Sequence, residues 1–162
     1  MQTIRKVRIE DAKEIQEIYN HYILNSIATF DEKEHTLQKI RDNITSTSAK
    51  YPWFVLVEND ELIAFAYASQ WKDKSAYNQS VEGTIYIKNN HEGKGIGTTL
   101  YNHLINHLRI NNYHSILGVI SLPNEASVAL HEKLNFEKVA HFKEIGKKFN
   151  RQIDVGCWQL IL

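Results

Sequence analysis

The spacing of apolar positions changes period several times along the chain, and each change marks an element. Thr3 to Ile9 reads as a first strand. Glu10 or Asp11 then opens a helix in which Ala12, Ile15, Ile18, Tyr19, Tyr22 and Ile23 share one face. A second helix fits Thr36 to Ser46, with Leu37, Ile40 and Ile44 on its inner side. Between them Asn25 to Asp31 carries Ile27 and Phe30, which predicts a packed loop. Trp53 to Glu58 and Leu62 to Ser69 are apolar runs joined by Asn59-Asp60, residues that tolerate left-handed backbone, so they predict a hairpin. The second run is apolar on both faces, as a central strand requires.

In Val81 to Lys88, Val81, Gly83, Ile85 and Ile87 point one way, and Glu82, Thr84, Tyr86 and Lys88 the other. A Gly-rich turn leads into a helix with Ile96, Leu100, Leu104 and Leu108 at four-residue spacing. Ser115 to Ile120 reads as a buried strand and Asn124 to Leu134 as a helix. Glu137 to Glu144 and Gln152 to Leu162 complete the set as strands. The order β-α-α-β-β-β-α-β-α-β-β predicts an α/β fold: a mixed, mostly antiparallel sheet of about seven strands with helices on both faces. No repeat, linker or low-complexity tract divides it, so residues 1–162 are expected to form a single domain.

Composition narrows the chemistry. Nineteen basic and 19 acidic side chains cancel, which argues against a nucleic-acid-binding module. No apolar run could span a bilayer, and the first residues lack the continuous apolar stretch of a signal peptide. A cytoplasmic location without membrane contact is expected. The single cysteine, Cys157, has no partner for an internal disulfide, and in an apolar strand it reads as a structural thiol. His103 and His107 share a helix face but lack a third ligand, so no metal is expected. Lys143, Lys147, Lys148 and Arg151 read as a solvated basic hairpin.

The turn Gly93-Lys94-Gly95-Ile96-Gly97, followed by Thr98, stands between a strand and an amphipathic helix. Glycines allow close approach of a ligand to the backbone, and free amides at a helix start attract an anion. It is not a Walker loop, because Lys94 is followed by Gly95. Nor is it the dinucleotide fingerprint, because Thr98 stands where the third glycine belongs.

With its Gly-x-Gly-x-Gly turn after a strand, the chain resembles the GCN5-related N-acetyltransferases. It is most similar to their phosphinothricin and methionine sulfoximine acetyltransferase branch. Further support comes from Ile18-Tyr19-Asn20-His21, Val81-Glu82 before Ile85-Tyr86-Ile87, Asn124-Glu125-Ala126-Ser127 leading to Leu130-His131-Glu132-Lys133-Leu134, and Gly146-Lys147-Lys148-Phe149 before Asp154. The resemblance implies an acetyl-CoA-dependent N-acetyltransferase acting on the primary amine of a small amino-acid-like substrate, with no metal, in a homodimer. It places the pantetheine arm along Ile85, Tyr86 and Ile87, the pyrophosphate on the amides of Gly93 to Thr98, and Asn124 near the arm while it caps its helix. It makes Glu82 the base and His131 the candidate proton donor to the leaving thiolate. Trp71, Lys72 and Tyr77 would meet the substrate, with Lys72 holding a carboxylate and Phe30 walling the pocket. Glu92 departs from the Gln or Arg that usually opens the loop, which implies weaker cofactor affinity unless Lys88 or Lys94 neutralises it. Competing readings are acetylation of a protein N-terminus or a polyamine, and an acyl-CoA-binding sensor.

Overall fold

The computed structural model describes residues 1–162. The elements in chain order are β1 (Gln2–Lys6), α1 (Ala12–Asn25), α2 (Leu37–Ser48), β2 (Trp53–Glu58), β3 (Glu61–Gln70) and β4 (Ser80–Ile87). After these come α3 (Ile96–Ile110), β5 (Ser115–Leu122), α4 (Glu125–Lys133), β6 (Glu137–Lys148) and β7 (Arg151–Ile161). The strands form one seven-stranded sheet in the order β1-β2-β3-β4-β5-β7-β6, antiparallel except between β4 and β5. The expected element order and sheet class are both observed. No helix is long and apolar enough to cross a membrane.

β3 shows how the sheet acquires two different faces. Ala64, Ala66 and Ala68 lie against α3 with Leu100, Leu104 and Leu108, where the missing side-chain bulk lets the helix approach the strand. Phe65, with Leu62, belongs instead to the opposite core, built with Ala12, Ile15 and Ile18 of α1 and Ile40 and Ile44 of α2. One face is thus small and aliphatic under α3 and α4. The other is aromatic under α1 and α2. The β2–β3 hairpin turns on Asn59 (φ 50°) and Asp60 (φ 68°), both left-handed as their residue types allow.

Two elements depart from the expected boundaries by about three residues or more. The first strand stops at Lys6 rather than Ile9, because the buried Asp11 gathers the chain behind it. Its carboxylate accepts from Arg5 Nη1 and Nη2 at 2.8 and 2.7 Å and from the Arg8 amide at 2.7 Å, bending Ile9–Asp11 into a 3-10 turn. The strand expected over Glu137 to Glu144 instead runs to Lys148 across an irregularity between Phe142 and Gly146. Asp154 staples that bulge, accepting from the Glu144 amide at 2.8 Å and pairing with His141 Nε2 at 2.7 Å.

The basic hairpin is not wholly solvated, as its sequence suggested. Lys148 is only 2% exposed, and its ammonium donates to the carbonyls of Ser26 and Thr29 at 2.7 and 2.8 Å. Beside it the Phe30 ring occupies the space a side chain at Gly146 would need. Strand β6 therefore clamps the loop that follows α1.

Burial alone would raise the Asp11 pKa, but the bonds from Arg5 and Arg8 outweigh it and hold the carboxyl below its ordinary value. A lowered folded-state pKa adds stability above the unfolded value and loses it as pH falls through the folded one. Asp11→Ala is expected to cost about 2 kcal/mol and to lower Tm by about 4–8 °C near neutral pH, with the deficit shrinking in acid. Thermal denaturation across pH checks this.

Candidate active site

Strands β4 and β5 pair for only three residues: Ser80, Val81 and Glu82 face Ser115, Ile116 and Leu117. Continuing that register would place Gly83 beside Gly118, but there the strands part and leave a fork. Beyond it Thr84 to Ile87 pair only with β3. The antiparallel ladder alternates, and Lys88 N bonds to Ile63 O. Tyr86 and Thr84 therefore spend their backbone groups on β3, while Ile85 and Ile87 turn their amides toward the gap. Of the three residues expected to meet the pantetheine by their backbone, Ile85 and Ile87 present free amides there and Tyr86 does not. The Ile87 carbonyl is also engaged, accepting from Tyr22 Oη at 2.7 Å.

The Gly-rich turn sits at the open end of this gap, before α3. Its three glycines do different work. Gly93 (φ 76°) and Gly95 (φ 77°) adopt left-handed backbone in open space, with nothing within 4 Å of a notional Cβ. Gly97 is there for packing: a Cβ would meet Ile87 Cδ1 at 3.2 Å and Leu130 Cδ2 at 3.3 Å. The amides of Gly93, Lys94, Gly95, Ile96, Gly97 and Thr98 donate to no acceptor in the protein. Six consecutive free N–H groups at a helix start form a cradle for an anionic group such as a diphosphate. Glu92 is exposed, and Lys88 is ion-paired with Glu61 rather than with Glu92. At the start of α4 the Asn124 side-chain Oδ1 accepts from Ser127 N at 3.1 Å, the expected cap.

Glu82, the last paired residue before the fork, projects to the aromatic side of the sheet. Burial raises its carboxyl pKa, and the nearby Lys72 charge pulls partly the other way. A carboxylate shifted upward is a better proton acceptor near neutral pH than an exposed one. Cradle, fork and base lie on one line along β4.

Residues 4–156 match the acetyltransferase (GNAT) domain. The chain belongs to the GNAT acetyltransferases. It is an N-acetyltransferase with acetyl-CoA as co-substrate. It is 35% identical over 156 residues to the phosphinothricin N-acetyltransferase of Streptomyces viridochromogenes, spanning 96% of this chain and 85% of that one. It is 31% identical over 161 residues to the L-methionine sulfoximine/L-methionine sulfone acetyltransferase of Salmonella typhimurium, spanning 99% and 94%. A phosphinothricin acetyltransferase from Sinorhizobium meliloti, solved in complex with AcCoA, superposes with a TM-score of 0.96 at 30% identity, over 99% of this chain and 88% of that one.

Within this GNAT frame the remaining expected residues fall into groups. Lys72 is close enough to Glu82 to affect its ionisation, and its ammonium lies 5.1 Å from the centre of the Trp71 ring. Tyr77 is exposed in the turn before β4, and Phe30 is partly exposed on Gly146. His131, the expected proton donor, lies in the interior beside α3. It is 3% exposed, its Nδ1 lies 2.7 Å from the Ser127 carbonyl, and it packs edge-on against Tyr101 and Phe136. Burial lowers its pKa, and the Ser127 carbonyl partly offsets this by accepting from Nδ1.

Cys157 is buried, and burial raises its thiol pKa, which leaves it protonated and unsuited to nucleophilic attack. His103 and His107 pack edge-on against Phe54, with ring centres 4.5 and 5.2 Å away. Sequence reasoning missed Tyr67, which sits beside Glu82 across the β3–β4 ladder, and Asp31, which accepts from Tyr19 Oη at 2.6 Å. The strand register puts Tyr67 opposite Thr84 and diagonal to Glu82, and the loop after α1 folds Asp31 back onto Tyr19, so no local spacing marks them.

A folded-state pKa above the unfolded one favours folding below the unfolded value, and that contribution is lost as pH rises through the folded one. Ionised Glu82 therefore weighs against the fold at neutral pH. Glu82→Gln is expected to melt at or above the wild-type temperature at pH 7, with the wild type catching up in acid. Paired calorimetric scans at the two pH values test this.

Proposed function

We propose that this enzyme acetylates the primary amine of a small amino-acid-like substrate of the phosphinothricin or methionine sulfoximine type, by direct attack in a ternary complex. The carrying observation is Glu82 at the fork: a half-buried carboxyl with raised pKa on the face opposite α3 and α4. Acetyl-CoA, when bound, supplies the acetyl group as a thioester. The amides of Gly93 to Thr98 hold the pyrophosphate, Ile85 and Ile87 turn their free amides to the arm and thioester carbonyl, and Asn124 stands beside the arm. Glu82 takes one proton from the attacking amine, directly or through one water. The new C–N bond forms as the C–S bond breaks, the electron pair leaves with sulfur, and the amine's proton is returned to the thiolate.

The substrate class rests on the names of the relatives and on Lys72, which offers a cation beside Glu82 for a carboxylate. Lys72 lacks the planar fork of arginine, so a relaxed choice among amino acids fits it. The same charge opposes a polyamine. Trp71, Tyr77 and Phe30 supply the pocket walls. The reading includes a cytoplasmic homodimer, which the exposed Val139, Phe142 and Ile145 on edge strand β6 support.

The test is CoA release across a panel of amino acids, their sulfone and phosphinate analogues, polyamines and peptides with free N-termini. The best substrate is expected among the amino-acid analogues, and Glu82→Gln is expected to lower its kcat about a hundredfold or more. Equal rates for both proteins would remove Glu82 from its role, and a peptide as best substrate would replace the substrate class. Activity in the wild type should fall on the acid side around a pKa above the ordinary glutamate value. Lys72→Met removes the cation that lowers that pKa. The acid limb should therefore move to higher pH, and KM for the carboxylate-bearing amine should rise.

A further inference from the structure

The loop from Ser26 to Asp31 is tied to three different elements. From α1, Tyr19 Oη lies 2.8 Å from Thr29 Oγ1 and donates to Asp31 at 2.6 Å. From β4, Tyr86 Oη donates to the Ala28 carbonyl at 3.3 Å. From β6, Lys148 Nζ donates to the Ser26 and Thr29 carbonyls at 2.7 and 2.8 Å. In the sheet β5 and β7 lie between β4 and β6. A loop bonded to both β4 and β6 therefore crosses β5 and β7 on the α1 and α2 face, the face to which Glu82 projects.

That face is open at its centre. A Cβ on Gly118 would meet His131 of α4, so the next residue, Val119, points the other way, toward α1 and α2. Val119 is 40% exposed although β5 is an interior strand. An apolar side chain left open in mid-sheet, one strand from a buried carboxyl and spanned by a loop, outlines a concave site.

Lys148 is the unusual tie. Lysine is almost never fully buried, yet this one is, and both of its acceptors are main-chain carbonyls rather than carboxylates. An apolar side chain of similar length would bury at less cost. What the ammonium adds is a fixed path for the loop, since it gathers two carbonyls three residues apart. Two residues earlier on the same strand, Gly146 leaves the space that the Phe30 ring fills. The two contacts seat the loop on β6 side by side.

We propose that Lys148 is a positioning residue for the acceptor amine: its ammonium holds the loop as a strap over the site, with Phe30 locked against β6 as the far wall. This rests on the amine binding beside Glu82 on the α1 and α2 face, as argued above. Lys148 touches neither substrate nor cofactor in this role. A loosened strap lowers the fraction of protein ready to bind the amine, which raises the apparent KM by the inverse of that fraction and leaves the saturated rate alone.

The experiment compares Lys148→Met with the exposed neighbour Lys147→Met as control. For the best amine of the panel, KM in Lys148→Met is expected to rise about tenfold or more, with kcat and the KM for acetyl-CoA within about twofold. Gly146→Ala leaves the ammonium in place and displaces only Phe30, so it should raise the same KM and no other, and it decides the matter should Lys148→Met fail to fold. Amide hydrogen exchange of the free protein should quicken across residues 26–31 in Lys148→Met and not in Lys147→Met. A folded Lys148→Met with unchanged amine KM, an equal rise in both KM values, or unchanged exchange would each overturn the assignment. A merely structural lysine would lower Tm without dividing the two KM values. The exchange measurement uses neither amine nor acetyl-CoA, so a wrong substrate class leaves it intact, and unchanged exchange leaves the roles of Glu82 and the amine class standing.

Discussion

The early end of one strand pairing governs the rest of this molecule. Between β4 and β5 the ladder stops at Glu82 and Leu117, although both strands continue for several residues. Backbone groups left without a partner inside a protein are costly, so an open fork in a sheet must either be filled by a ligand or wetted. Here the unspent amides of Ile85 and Ile87 face the gap, and the chain supports the opening instead of closing it. α3 approaches β3 closely because Ala64, Ala66 and Ala68 give it room, and its N-terminus is thereby held at the mouth of the gap.

The two sides of the sheet divide the chemistry. On the α3 and α4 side the gap is bordered by apolar side chains and by free main-chain amides, which suits a long ligand with an anionic end. On the α1 and α2 side it opens among tyrosines. Tyr19 and Tyr22 lie edge-on or tilted against Tyr86, with ring centres 5.2 and 5.0 Å away. Burial keeps all three phenols protonated by raising their pKa values. Such a wall is polar enough to orient a small zwitterion but carries no charge of its own. The charges come from Glu82, Lys72 and Asp31 at its edges.

Much of this was legible in the residues, because the informative signals were local. A left-handed pair at Asn59-Asp60, helical spacing after Gly95 and alternation in β4 each depend on neighbours a few positions away. The Gly-rich turn was legible for the same reason, although its glycines looked equivalent and only the fold separates Gly93 and Gly95 from Gly97. Long-range features were not legible. Nothing near Lys148 in sequence shows that its ammonium will be buried against Ser26 and Thr29, more than a hundred residues away. His131 is a related case: its position suggested a donor, and only the fold shows its Nδ1 against the Ser127 carbonyl and its ring against Phe136 and Tyr101.

The fork also bears on how a GNAT site can manage its leaving group. A thiolate is a far weaker base than an alkoxide, so its departure needs less acid assistance than placement and a single good hydrogen bond. The glycines at 83 and 118 stand where the strands part. Any side chain at either place would displace Tyr101 or His131 from the apex, and the sheet accepts two residues of low strand propensity there. Weak strand formers at the one point where the pairing fails serve both ends: they let the strands part, and they leave room for Tyr101 and His131 packed beneath the sheet.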